Sequence, residues 1–245
     1  MSILRSPGSI VAALLYATVS LVCTQVPLIN YLGYEFSALL GLLSSFIAGL
    51  LTIRLVKDAY LAEYPSDEGR YQRALNAFKQ ALMLNLLLLV IPFVVMLTNA
   101  LFVKNCSLLQ GLGFFILIPV VSVWFGSALG FLCAVHYRRS KTLFFVYGIF
   151  LLLYSAAIGY FTPAIYSYNF LYGYFPGLTY DEALGLSWTL VLFRICTILA
   201  GAVLVWMVSL LVKHCTPADR SWTKGITLLK QLINGRRQFM TAAVA

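Results

Sequence analysis

Charge is the scarcest feature of this sequence. Asp, Glu, Lys and Arg make up 10% of its 245 residues, against 61% hydrophobic, and the mean hydropathy is +0.90. An ordinary soluble domain is about one quarter charged, so a water-facing globule of this length would lack the polar groups to cover it. Disorder is excluded for the opposite reason, since apolar side chains are plentiful. Histidine is nearly absent, with only His136 and His214. Cys23, Cys106, Cys133, Cys196 and Cys215 include no C-x-x-C pair and form no disulfide framework. Neither H-E-x-x-H nor a P-loop pattern occurs. The chain is therefore expected to be a membrane protein without a catalytic constellation, cofactor or metal of its own.

What is present in quantity is long apolar runs. Six segments reach the length of a bilayer crossing, at about 20 residues each: 9–29, 36–53, 81–101, 112–135, 142–161 and 188–212. The first, preceded by Arg5, outruns the 7–15 residues of a signal-peptide core and reads as a retained helix. The fold class expected is all-α: a polytopic bundle of about six helices over 1–212, followed by a basic cytoplasmic tail over 213–245. In that tail Trp222, Ile226, Leu229 and Ile233 fall on one helical stripe, with Lys224, Lys230, Arg236 and Arg237 available to anionic lipid headgroups.

Six crossings sort the cations sharply. Fifteen of the seventeen basic residues fall in the N-terminus, the 54–80 and 136–141 connectors and the tail, which share one side. Lysine and arginine bias sets orientation, so both termini are expected in the cytoplasm and the protein in the cytoplasmic membrane. The net charge of +9 is accounted for by this sorting and by attraction to the bilayer, and no nucleic acid is expected as partner. In the 54–80 connector, the stretch 65–69 reads as a turn between helical extensions, the second carrying Tyr71, Leu75 and Phe78 on one face.

Small residues recur every fourth position at Gly41, Ser45 and Gly49, and again at Ser122, Gly126 and Gly130, the spacing that lets membrane helices approach closely. Pro92 and Pro119 are expected to kink their helices. On the outer side, residues 160–182 hold nine aromatics and no cation, which reads as a structured cap or an interfacial belt. Tyr168, Tyr172, Tyr174, Phe175, Pro176 and Tyr180 are its candidate residues, with Pro176-Gly177 suited to a type II turn. Arg194 is the one cation inside a span. An intramembrane arginine is costly and usually paired, and Asp181, Glu182 and Glu35 are the acids expected near it.

Asn105-Cys106-Ser107, Gly111, the run FFILIPVVS at 114–122 and YSYNFLYGYFPGLTYDE at 166–182 together resemble the N-terminal multi-helix region of poorly characterised bacterial membrane proteins. In some of these the helices precede a gluzincin-like peptidase or tetratricopeptide-type domain. The resemblance implies a membrane module and transfers no activity, because no peptidase motif is present. The expected role is anchoring, scaffolding or assembly, with a membrane or downstream soluble partner. Two other readings are a small transporter or channel component, with Arg194 at a polar or anionic substrate site, and the membrane domain of a larger hydrolase.

Overall fold

A computed structural model describes residues 6–61, 67–103, 108–136, 139–162, 166–175 and 185–214. They form an all-α bundle of six rods. These are α1 (Pro7–Cys23), α2 (Tyr34–Leu61), α3 and α4 in series (Asp67–Leu88, Val90–Asn99), α5 and α6 in series (Leu108–Phe115, Val121–His136), α7 (Ser140–Phe161) and α8 (Trp188–His214). Five stretches are long and apolar enough to cross a bilayer: Tyr34–Tyr60, Tyr71–Asn99, Leu108–Val135, Ser140–Phe161 and Trp188–Val212. The architecture is that of a membrane-embedded helical protein.

The rods depart from the expected segments where local chemistry intervenes. The first ends at Cys23 rather than near residue 29. Pro27 has no N–H to donate, and its ring conflicts with the carbonyl four residues back, which is that of Cys23. The second continues to Leu61, well past the apolar run, because Val56 and Tyr60 bury against Ala74 and Phe78 of α3. Phe78 in turn stacks on Phe131 of α6, at a ring separation of 4.9 Å. The expected helical extensions are thus present, but the second begins at Asp67, inside the expected 65–69 turn, and residues 62–66 lie outside the described part.

Both prolines accompany an interruption of the regular α-helix, in different ways. Pro92 breaks the third rod at Leu89, between α3 and α4. Pro119 sits in a π-helical turn, Ile116–Val120, that joins α5 to α6. A π-turn widens the helix by one residue and tolerates the carbonyl that proline cannot satisfy.

The centre of the bundle is the α2–α6 pair, the most extensive contact among the described elements. Its two small-residue stripes face each other in parallel register. A Cβ on Gly41 would stand 3.3 Å from Ser122 Oγ, one on Gly126 would stand 2.3 Å from the Ser45 carbonyl oxygen, and one on Gly130 would stand 2.6 Å from that of Gly49. The stripes are therefore used within the chain. Asn85 of α3 bridges the pair, its Nδ2 donating to Ala48 O and Ser127 Oγ, both at 3.2 Å. Such bonds in membranes are worth about 0.6 kcal/mol on average. Outside this centre, α7 and α8 turn mostly apolar side chains outward, among them Phe145, Ile149, Leu153, Leu199 and Val203. Trp124 ties α6 to α8 by donating to Ile198 O at 3.1 Å.

Candidate functional site

The 160–182 region contains a small antiparallel hairpin, β1 (Ser167–Asn169) and β2 (Gly173–Phe175). It is the one strand pair among the described residues. An isolated two-stranded hairpin is marginal in stability, so its surroundings must hold it. It sits in the mouth of the bundle opposite the Arg54 end, against α2, α6, α7 and α8.

Each element supplies a specific grip. From α2, Tyr34 donates its phenol proton to the Tyr174 carbonyl and stacks on the Tyr174 ring with centroids 4.6 Å apart. From α7, the Leu151 carbonyl accepts from Asn169 Nδ2 at 2.9 Å. Ser155 O accepts from Ser167 Oγ at 2.6 Å, and Ser155 Oγ lies 3.2 Å from the Tyr172 hydroxyl. From α6 and α8, Phe125 and Phe193 pack on the Phe170 ring at 5.3 and 5.2 Å. The hairpin's own turn is set by Asn169, whose Oδ1 accepts from Leu171 N at 2.8 Å, and by Gly173 at φ +100°.

Arg194 lies at the centre of these contacts. Its side chain is fully buried, with Nη1 donating to the Phe170 carbonyl at 3.2 Å and Nη2 to Ser122 Oγ at 3.5 Å. Its Nε has no partner among the described residues. Gly173 is required twice here, by its positive φ and because a Cβ would stand 2.9 Å from Nη2. The guanidinium thus ties the tip of the hairpin to the near end of the α2–α6 seam, where Ser122 faces Gly41.

The other expected site residues are distributed as follows. Glu35, in the first turn of α2, accepts a hydrogen bond from Tyr31, and no ion pair joins it to Arg194 among the described residues. Burial, then the Glu35 carboxylate, pushes the Tyr31 phenol up. Burial raises the Tyr174 phenol too, helped by Tyr166, Tyr168 and Glu35. Both rings therefore stay neutral across the physiological range. Tyr168 packs between Tyr174 and Phe193 at 5.9 and 5.1 Å, and Phe175 pairs with Ser167 in the ladder. Pro176, Tyr180, Asp181 and Glu182 lie outside the described residues, as does the 215–245 portion of the tail.

Sequence reasoning missed Phe170, Ser122 and Tyr34 as the latch partners. Phe170 and Ser122 meet the guanidinium through a backbone carbonyl and a small hydroxyl, neither of which carries a sequence signal. The glycine in N-F-L-Y-G, after an Asn that caps its own turn, was the one available hint. No group of three or more His, Cys, Asp or Glu able to hold a metal occurs among the described residues. No protein-family model, curated protein or solved structure matches the chain.

Proposed function

We propose that this protein is a non-catalytic membrane module of the anchoring, scaffolding or assembly type. It presents the hairpin on the outer face of the cytoplasmic membrane and its basic end, with both termini, to the cytoplasm. The observation that carries this reading is the Arg194 latch. A buried intramembrane cation marks a function by default, and here its hydrogen bonds go to the hairpin and to α6. Among the described residues Arg194 donates to the Phe170 carbonyl and Ser122 Oγ, and no ion pair joins it to Glu35. The resemblance to helical regions placed ahead of soluble domains points the same way.

The orientation rests on Arg54, Lys57, Arg139 and Lys141, which gather at the end opposite the hairpin. In a cysteine-replaced background, a membrane-impermeant maleimide should label Gly185→Cys in intact cells and Gln72→Cys only after permeabilisation. The reverse pattern would overturn the orientation. The role is tested by reconstitution. Liposomes carrying the purified protein should remain as tight to small anions and amino acids as empty ones. A photocrosslinker at Gly185 should capture a discrete neighbour in cells, and this should be lost when the hairpin is undocked. A flux above background that Arg194→Gln abolishes would replace this reading with a transporter.

A further inference from the structure

The latch leaves two fully buried polar groups unmatched. The first is the guanidinium itself, whose two hydrogen bonds among the described residues are long for a charged donor. Nη1 stands 3.2 Å from Phe170 O and Nη2 3.5 Å from Ser122 Oγ. Strong charge-assisted bonds run to about 2.7–2.9 Å. The third nitrogen, Nε, has no partner among the described residues.

The second group is Ser37 of α2. Ser20, Ser44, Ser45, Thr197 and Ser209 each donate to a carbonyl three or four residues back in their own helix. This is the ready resort of a hydroxyl in an apolar helix. Ser37 Oγ makes neither that bond nor another among the described residues, although the residue is fully buried. A buried donor is costly to leave unpaired, so each of the two asks for an acceptor.

The fold sets them toward the same place. Steps of three and four residues stay on one helix face, so Tyr34, Ser37 and Gly41 share a face of α2. Tyr34 stacks on Tyr174, the neighbour of Gly173, and a Cβ on Gly173 would stand 2.9 Å from Arg194 Nη2. A Cβ on Gly41 would stand 3.3 Å from Ser122 Oγ, the other end of the latch. Ser37 lies one turn from each, between the two points where α2 meets the latch. Ile118, Leu190 and Tyr174 enclose this region and are buried themselves.

The donors define the ligand. Nε–H can only donate, and the Ser37 hydroxyl has its proton to give. Beside a guanidinium in apolar surroundings, a negative acceptor is held far more strongly than in water. The walls are close, with Ile118 Cδ1 standing 3.3 Å from a Cβ on Gly173, which suits one atom rather than an oxyanion. We infer that Arg194 Nε and Ser37 Oγ bind a single-atom anion of the halide class, which fastens the docked hairpin to α2 as well as to α6. The inference rests on the Arg194 latch and is independent of the anchoring role.

The test is chymotrypsin cleavage within 166–175, using the full chain in nanodiscs at constant ionic strength with chloride exchanged for gluconate. Chloride should slow cleavage saturably, by about tenfold, bromide should replace it, and sulfate should not. Ser37→Ala, which suits a helix and adds no bulk, should lose the chloride effect. Arg194→Ala should be cleaved fast in either salt. D181N/E182Q should keep the chloride effect. Equal cleavage of the wild type in chloride and gluconate, with Arg194→Ala still fast, would leave the latch standing and overturn the anion. Protection by sulfate equal to that by chloride, or a chloride effect kept by Ser37→Ala, would overturn it too. Fast cleavage of D181N/E182Q in chloride, with helical content intact, would give the position to a carboxylate of the chain instead.

Discussion

Arg194→Ala is expected to release the hairpin from the bundle while leaving the rods assembled. The substitution removes the donors to the Phe170 carbonyl and Ser122 Oγ and empties the space of a fully buried side chain. Hydrogen bonds from charged donors contribute about 1.5–3 kcal/mol, and large-to-small changes at buried sites cost about 2–5 kcal/mol. The hairpin has little stability of its own, so the loss falls on its docking rather than on the helices. A loss of about 3 kcal/mol raises the undocked population by roughly a hundredfold. Chymotrypsin cleavage and amide exchange within 166–175 should increase accordingly, with helical content unchanged. Arg194→Lys should fall between, because an ammonium is a single point charge and cannot place two separated donors as a guanidinium does. Gly173→Ala should mimic Arg194→Ala from the other side, through its positive φ and its clash with Nη2. Unchanged protease protection in Arg194→Ala would mean that the aromatic contacts hold the hairpin unaided.

Gly126→Ala should destabilise the whole bundle. The added Cβ would stand 2.3 Å from the Ser45 carbonyl oxygen, and the obstacle is backbone that no rotamer change can move. Relief requires α2 and α6 to separate, which loosens the neighbouring Gly130–Gly49 and Gly41–Ser122 approaches as well. Overpacking of this kind costs about 1–3 kcal/mol and occasionally more. At roughly 2–4 °C per kcal/mol for a chain of this size, a fall of about 2–12 °C in melting temperature is expected. Gly159→Ala is the matched control. Its Cβ would meet Ser167 at an ordinary 3.5 Å, and alanine is the better helix former by about 1 kcal/mol. Equal melting temperatures for the two variants would rule out the close approach of α2 and α6.

The rods were legible in the sequence because apolar runs of bilayer length have few other uses. The two small-residue stripes were legible for a related reason: their four-residue period fixes a helix face, although nothing in it says which partner that face meets. The extension of α2 to Leu61 was harder to read, since Arg54, Lys57 and Asp58 interrupt the hydropathy while Val56 and Tyr60 keep the buried face going. At the site, Arg194 was conspicuous as a lone charge among apolar neighbours. Its partners were not, because one is a backbone carbonyl, which every residue possesses, and the other a serine hydroxyl. Of the acids expected near it, Asp181 and Glu182 lie outside the described residues, and no ion pair joins Glu35 to it among the described ones. The hairpin was recognisable as structured from its aromatics, but strands of three residues are too short for an alternating pattern to register.

The parallel pairing of α2 with α6 also has a consequence in time. Ser45 and Gly126 touch in the finished protein but are separated by about 80 residues of chain. At roughly 5–20 residues per second, synthesis delivers the second at least several seconds after the first. Through that interval the glycine face of α2 is in the bilayer without the helix that completes it. The three buried serines of α2, Ser37, Ser44 and Ser45, wait with it. The interior of this bundle is therefore closed late, by its fourth rod, and an insertion intermediate ending before α6 is a species with an open seam.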